Sequence, residues 1–180
     1  MKNNLLGRVS QIGCAALLTA VYALAQEHKW AGRTLNDLEW TIHEELAVLP
    51  HGVFETLDFQ VQGKAVTLSG KVINERVKRN AERVVGRINS VESVANQIEV
   101  LPSSRRDDAL RVRMYRSIYQ ARPLEKYGMR AAPPIQIIVK DGWVTLEGVV
   151  DSDADRSMVH LQALKVTAHV SDNLRVAPEE

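Results

Sequence analysis

Asp151, Asp153 and Asp155 alternate in the manner of a calcium loop. Such a loop also needs a glycine at its sharp turn and a bidentate glutamate at its end, and Arg156 and Gln162 stand at those places. The three acids therefore read as the negatively charged first turn of a helix, where the helix dipole favours them. His28, His43, His51, His160 and His169 form neither H-E-x-x-H nor any other close ligand pair, and His43, beside Glu44 and Glu45, reads as part of a solvated helix face. No G-x-S-x-G, P-loop or G-x-G-x-x-G occurs. The single cysteine, Cys14, excludes a disulfide framework and a thiolate zinc cluster. The residues that could do covalent chemistry thus point away from an enzyme, and no cofactor or metal is called for.

Charge placement says more. Residues 103–130 hold eight basic and three acidic side chains, whereas 131–180 hold four and eight. The positive charge centres on Arg111, Arg113 and Arg116. Leu110, Met114 and Ile118 recur every four residues there, which predicts a helix with that stripe buried and with Arg113 and Arg116 opposite it. Tyr115 and Tyr119 flank the stripe one turn apart. Basic residues beside tyrosine on a helix surface suit an interfacial contact with an anionic phospholipid membrane, each charge contributing about 1 kcal/mol. The competing reading is a solvated face whose tyrosines lap the core. A second basic run, Arg76, Lys78, Arg79, Arg83 and Arg87, lacks aromatic neighbours for base stacking, so nucleic acid is not an expected partner.

The elements that position these residues are written twice. Val66-Thr67-Leu68-Ser69-Gly70-Lys71-Val72 realigns with Val144-Thr145-Leu146-Glu147-Gly148-Val149-Val150 at a shift of 78, which also places Phe59 and Val61 over Ile137 and Val139. Leu38, Ile42 and Leu46 match Leu110, Met114 and Ile118, and Val94, Ile98 and Val100 match Val170, Leu174 and Val176. Each copy predicts a helix, a hairpin, a second helix and a last strand. The hairpins turn at Gly63-Lys64 and at Asp141-Gly142; Asp-Gly is a strong signal because both of its positions take positive φ. Val77, Ala81, Val84, Val85 and Ile88 line the second helix of the first copy, with Met158, Leu161 and Leu164 their expected counterparts. Thr34 with Asp37, and Ser152 with Asp155, read as helix caps. Gly70 and Gly148 fall at inward strand positions, where a closely packed helix is the expected reason for glycine. Ile138 and Trp143 fall at outward positions and make the second hairpin a candidate interaction patch or a seam between the copies.

The fold class is therefore α+β: two tandem αββαβ modules, each a three-stranded mixed sheet packed against two helices. At 180 residues, 45% hydrophobic and 25% charged, with a formal charge of +1, the chain has the composition of an ordinary folded protein. Its start reads as an address. Lys2 and Arg8 precede a short apolar run from Ile12 to Val21, and Ala23-Leu24-Ala25 before Gln26 fits a signal-peptidase site. The apolar run is too short to span a bilayer, and Gln11-Ile12-Gly13 ahead of Cys14 does not suit lipoprotein processing. Cleavage between Ala25 and Gln26 leaves a cysteine-free chain with 21 basic and 22 acidic residues, suited to an oxidising compartment and expected to be periplasmic. The expected layout is a signal peptide at 1–25, an N-terminal linker at 26–33, one module at 34–101, a joint at 102–106 and a second module at 107–177.

The repeated pattern is Gly63, Val66, Leu68, Gly70, Val72 followed by Val91, Val94, Asn96, Ile98, Val100. The second copy gives Gly142, Val144, Leu146, Gly148, Val150 followed by Val170, Leu174, Val176. Both resemble the BON domain family, named for bacterial osmotic-shock and nodulation proteins. The chain departs from that pattern at Ser90 and Val166, where the family has a glycine, at Thr167, where it has a valine, and at Asp172, which stands where Asn96 does in the first copy. The resemblance implies a non-enzymatic envelope module that binds phospholipid membranes or associates with envelope proteins, in a setting of osmotic stress or envelope integrity. A stress or interaction scaffold that touches no lipid, and a small-cation binder, are the alternatives it leaves open.

Overall fold

A computed structural model of the chain describes residues 36–49, 52–130 and 133–178. The expected signal peptide with Cys14, the Ala25–Gln26 junction and the cap at Thr34 lie outside the described residues.

The first unit opens with α1 (Asp37–Ala47). Asn36 caps it by accepting from the Glu39 amide while Glu39 accepts from the Asn36 amide, a reciprocal box that satisfies two orphan donors. Strands β1 (Thr56–Gln62) and β2 (Ala65–Val72) form an antiparallel hairpin in which Phe59 faces Leu68 and Val61 faces Val66. Helix α2 (Glu75–Val85) crosses over so that β3 (Ser93–Asn96) and its continuation β4 (Glu99–Val100) run parallel to β2. Ile42, Leu46, Phe59, Leu68, Val77, Ala81, Val85 and Ile98 make the buried core, as the periodicity requires. His43 is buried as well, beside the Trp40 ring, so the solvated face predicted for it is wrong. Position 43 lies one residue past Ile42, on the edge of the stripe that meets the sheet.

The second unit repeats the plan with α3 (Arg105–Tyr119), the antiparallel hairpin β5 (Ile135–Lys140) and β6 (Trp143–Val150), α5 (Asp153–Leu164), and β7 (Val170–Val176) parallel to β6. Helix α3 begins at Arg105, so Arg105 and Arg106 belong to the helix and not to the joint. The sequence reading missed a 3-10 turn (Arg122–Leu124) and a one-turn helix α4 (Glu125–Gly128), which bury Leu124 and Tyr127 under the second sheet. Pro123 starts the turn and the segment is too short for a periodic signal.

Two expectations about packing are corrected. In α5 the buried residues are Val159 and Ala163 with Met158 partly buried, while Leu161 and Leu164 are exposed. The glycines at 70 and 148 are not pressed by a helix. A Cβ there would stand 2.2 Å from the Thr56 carbonyl oxygen or 1.9 Å from that of Pro134, and φ is +124° and +121°. The hairpin partner's own backbone, entering beside these residues, excludes any side chain.

Both modules fasten the last strand to the crossover helix at one matching position. Asn96 donates to the Lys78 carbonyl and to Glu82, and Asp172 pairs with Arg156 at 3.2 Å. Each also accepts from the backbone amide two residues on. The departure from asparagine at Asp172 therefore keeps the job and exchanges a neutral contact for an ionic one.

Candidate functional site

Helix α3 is the most heavily charged element of the second unit. Leu110, Met114 and Ile118 are buried against the sheet. At 3.6 residues per turn, Arg105, Arg113 and Arg116 fall within about 80° of the opposite side, whereas Arg106 falls on the flank, about 80° from the middle of the buried stripe. All four are exposed, and none meets a carboxylate among the described residues. The one acid on the flank, Asp108, is taken by Arg111 at 2.6 Å. Arg105 and Arg106 also sit in the first turn, at the positive end of the helix dipole, where a cation is unfavourable by about 0.3–1 kcal/mol. Helix stability does not explain this placement.

Three of the five residues nominated on this helix are engaged elsewhere. Arg111 is 3% exposed and donates to the Val139 carbonyl at 2.6 Å, so it is a strut between helix and hairpin. Tyr119 is 5% exposed and its hydroxyl donates to the Ile135 carbonyl, so it is not a surface anchor. Burial raises its pKa well beyond the ordinary tyrosine value. Tyr115 is half-buried between Phe54 of the first unit, at 6.3 Å in an edge contact, and Tyr119 at 4.9 Å. Arg113 and Arg116 remain, joined by Arg105, with Arg106 on the flank beside the Gly142 turn. The helical wheel separates these sets only once the inward side is known to include position 111.

The helix is held to the hairpin by Asp107, whose buried carboxylate accepts from the Asp141 and Gly142 amides, both at 2.9 Å. Asp141 and Gly142 have φ of 52° and 82°, the two positive values that the Asp-Gly turn requires. Asp107 thus fixes the N-terminal end of α3 against a tight turn.

The outward hairpin positions part company. Ile138 is 1% exposed, so it is no open patch; Val53 of the first unit accepts from the adjoining Ile137 amide, and Val53 and Phe54 pack on the second core. Lys140 pairs with Glu99 across the same junction. Trp143 is 60% exposed at the hairpin tip, its ring 4.6 Å from that of His169.

Of the three acids that resembled a calcium loop, Asp151 and Asp155 are committed to cations. Lys126 reaches Asp151 at 3.0 Å and Asp155 at 2.8 Å, and Arg130 reaches Asp151 at 3.0 Å. The Tyr127 hydroxyl donates to Asp155 and accepts from the Asp151 amide. Desolvation works to raise both carboxyl pKa values, but bonds from Lys126, from Arg130 to Asp151, and from Tyr127 to Asp155 outweigh it and hold both below the ordinary value. Burial pushes Tyr127 up to about 12. This is a structural knot that docks α4 onto the N-terminus of α5.

No helix among the described residues is long and apolar enough to cross a membrane. Among solved structures the chain is similar to the C-terminal domain of CdsD, a structural protein of the type III secretion system of Chlamydia trachomatis, at 14% identity and a TM-score of 0.31, covering 79% of this chain and 66% of that one. It is also similar to a second CdsD structure from that organism at 14% identity and a TM-score of 0.30, covering 81% and 94%. No curated protein matches. A family model described as BON domain matches residues 38–102 and 122–178, one segment in each αββαβ unit, the second beginning after α3. With the repeated Val-x-Leu-x-Gly-x-Val hairpin paired in register in both units, the chain belongs to the BON domain family.

Proposed function

We propose that this protein is a non-catalytic component of the bacterial envelope whose second BON module binds an anionic phospholipid surface through α3. Membership of the BON family supports the envelope-associated, non-catalytic part of this reading. The observation that carries the lipid part is the row of Arg105, Arg113 and Arg116, exposed and without carboxylate partners among the described residues on the side of α3 turned from the core. Three such charges near an anionic surface contribute on the order of 3 kcal/mol, enough for reversible association. The corresponding helix α1 carries exposed Asp37, Glu44 and Glu45 and no lysine or arginine, so the two modules are not equivalent toward such a surface.

The expected setting is the periplasm, reached by cleavage after Ala25, in envelope maintenance or osmotic stress. The test is co-sedimentation of the mature chain with vesicles of neutral or anionic phospholipid across a salt series. Binding that needs the anionic lipid and weakens with salt supports the proposal, since exposed charges are screened over about 8 Å at physiological ionic strength. Indifference to both lipid and salt sinks it and favours a protein-interaction scaffold.

A further inference from the structure

Helices α3 and α5 lie on the same face of the second sheet and pack side by side, with the Ser117 hydroxyl donating to the Gln162 carbonyl at 2.8 Å. Their sides turned away from the sheet therefore form one surface. On α3 that side carries Arg105, Arg113 and Arg116. On α5 the buried residues are Val159 and Ala163, and Leu161 lies about 180° round the helix from them. Leu161 is 55% exposed, Leu164 is exposed on the flank one turn on, and Lys165 follows. Leu161 on the outermost side, with Leu164 on the flank, thus stands outside a core already filled by Val159 and Ala163.

Resting on the lipid reading above, we infer that the membrane contact is a two-helix surface. The α3 arginines attract the anionic headgroups, and Leu161 with Leu164 of α5 enters the apolar boundary beneath them. The occupant is an anionic bilayer leaflet, because that partner presents both features in the same layered order: negative charge outermost and hydrocarbon below. An acidic protein would complement the arginines but gives the leucines no comparable layer to enter. The tyrosines that the sequence offered as anchors are spent in the core and the seam, so the apolar element must come from elsewhere, and α5 supplies it.

The test uses the full mature chain and mixed phosphatidylcholine–phosphatidylglycerol vesicles. Leu161→Ser with Leu164→Ser should raise the dissociation constant roughly tenfold or more at physiological salt, the scale set by withdrawing one or two leucine side chains from an apolar layer. Binding at low salt, where the arginines suffice, should persist, and circular dichroism should not change. A polarity-sensitive dye on Leu161→Cys should shift to the blue with these vesicles and not with neutral ones. If wild type binds and arginine reversal abolishes it, but the serine variant binds like wild type and the dye stays unshifted, the two-helix surface is refuted while the lipid reading stands. If wild type does not bind anionic vesicles at all, both fall. If an acidic polypeptide displaces the chain from vesicles and produces the same blue shift, the site belongs to a protein and the inference is overturned.

Discussion

Replacing Gly148 by alanine tests whether the hairpin register is understood. The added Cβ would stand 1.9 Å from the Pro134 carbonyl oxygen and 3.0 Å from the Gln136 side-chain oxygen. The first of these is backbone and cannot swing aside, so β5 must part from β6 at the Ile135–Gly148 pair. Two costs add. A φ of +121° is strained for any L side chain, at about 1–3 kcal/mol, and the forced displacement costs about 1–3 kcal/mol more. The sum, about 2–6 kcal/mol, is a large part of what a module this small possesses. At about 4–8 °C per kcal/mol for a domain of this size, the melting temperature of the second unit should fall by about 10 °C or more. Two controls separate the terms. Gly63→Ala meets nothing within 4 Å but has φ +64°, so it should show the strain alone, about 1–2 kcal/mol. Gly52→Ala has neither problem and should be near neutral. Thermal and urea unfolding followed by circular dichroism measures all three. Equal melting temperatures for Gly148→Ala and Gly52→Ala would show the reasoning to be wrong.

Asp107→Ala should cost about 2–3 kcal/mol, because it leaves the Asp141 and Gly142 amides without an acceptor; Asp107→Asn, which can keep one bond, should cost less, and urea titration ranks them. Asp151 and Asp155 have folded pKa values below the ordinary 3.8, so they add stability that is present above that value and lost as pH falls through the folded pKa. Acid melts should therefore steepen below about pH 4 and flatten in Lys126→Met, and a variant that titrates like wild type would count against the knot. N-terminal sequencing of the protein recovered from the envelope should begin at Gln26; recovery of Met1 or of acylated Cys14 would overturn the periplasmic assignment.

Much of the fold was legible because it is repeated. Two copies of an alternating hairpin at one spacing fix strands, turns and register together, and the buried stripes of α1, α2 and α3 followed from their periodicity. The site was less legible. Periodicity tells which side of α3 is buried but not how wide that side is, and Arg111 and Tyr119 lie on its margins, where long side chains turn inward to reach the Val139 and Ile135 carbonyls. In α5, Leu161 and Leu164 were assigned to the core because leucine is usually buried, whereas small residues at 159 and 163 let the helix sit close to the sheet. Gly148 was recognised as special, but a contact with the carbonyl of Pro134, fourteen residues upstream, leaves no local mark. The α4 segment was invisible because one helical turn carries no period.

The central claim is that the arginine row of α3 makes the protein bind anionic membranes. The direct measurement is flotation of the full mature chain and of its Arg113→Glu, Arg116→Glu variant with anionic and neutral vesicles. Because Val53 and Phe54 of the first unit pack on the second core, charge reversal in the intact chain is a cleaner perturbation than removing a module. Both arginines point away from the buried stripe, so the variant should melt and read by circular dichroism like wild type. Wild type should float with anionic vesicles only, and the variant should stay at the bottom of the gradient. A folded variant that floats as well as wild type would reduce the row to a solvated helix face and contradict the claim.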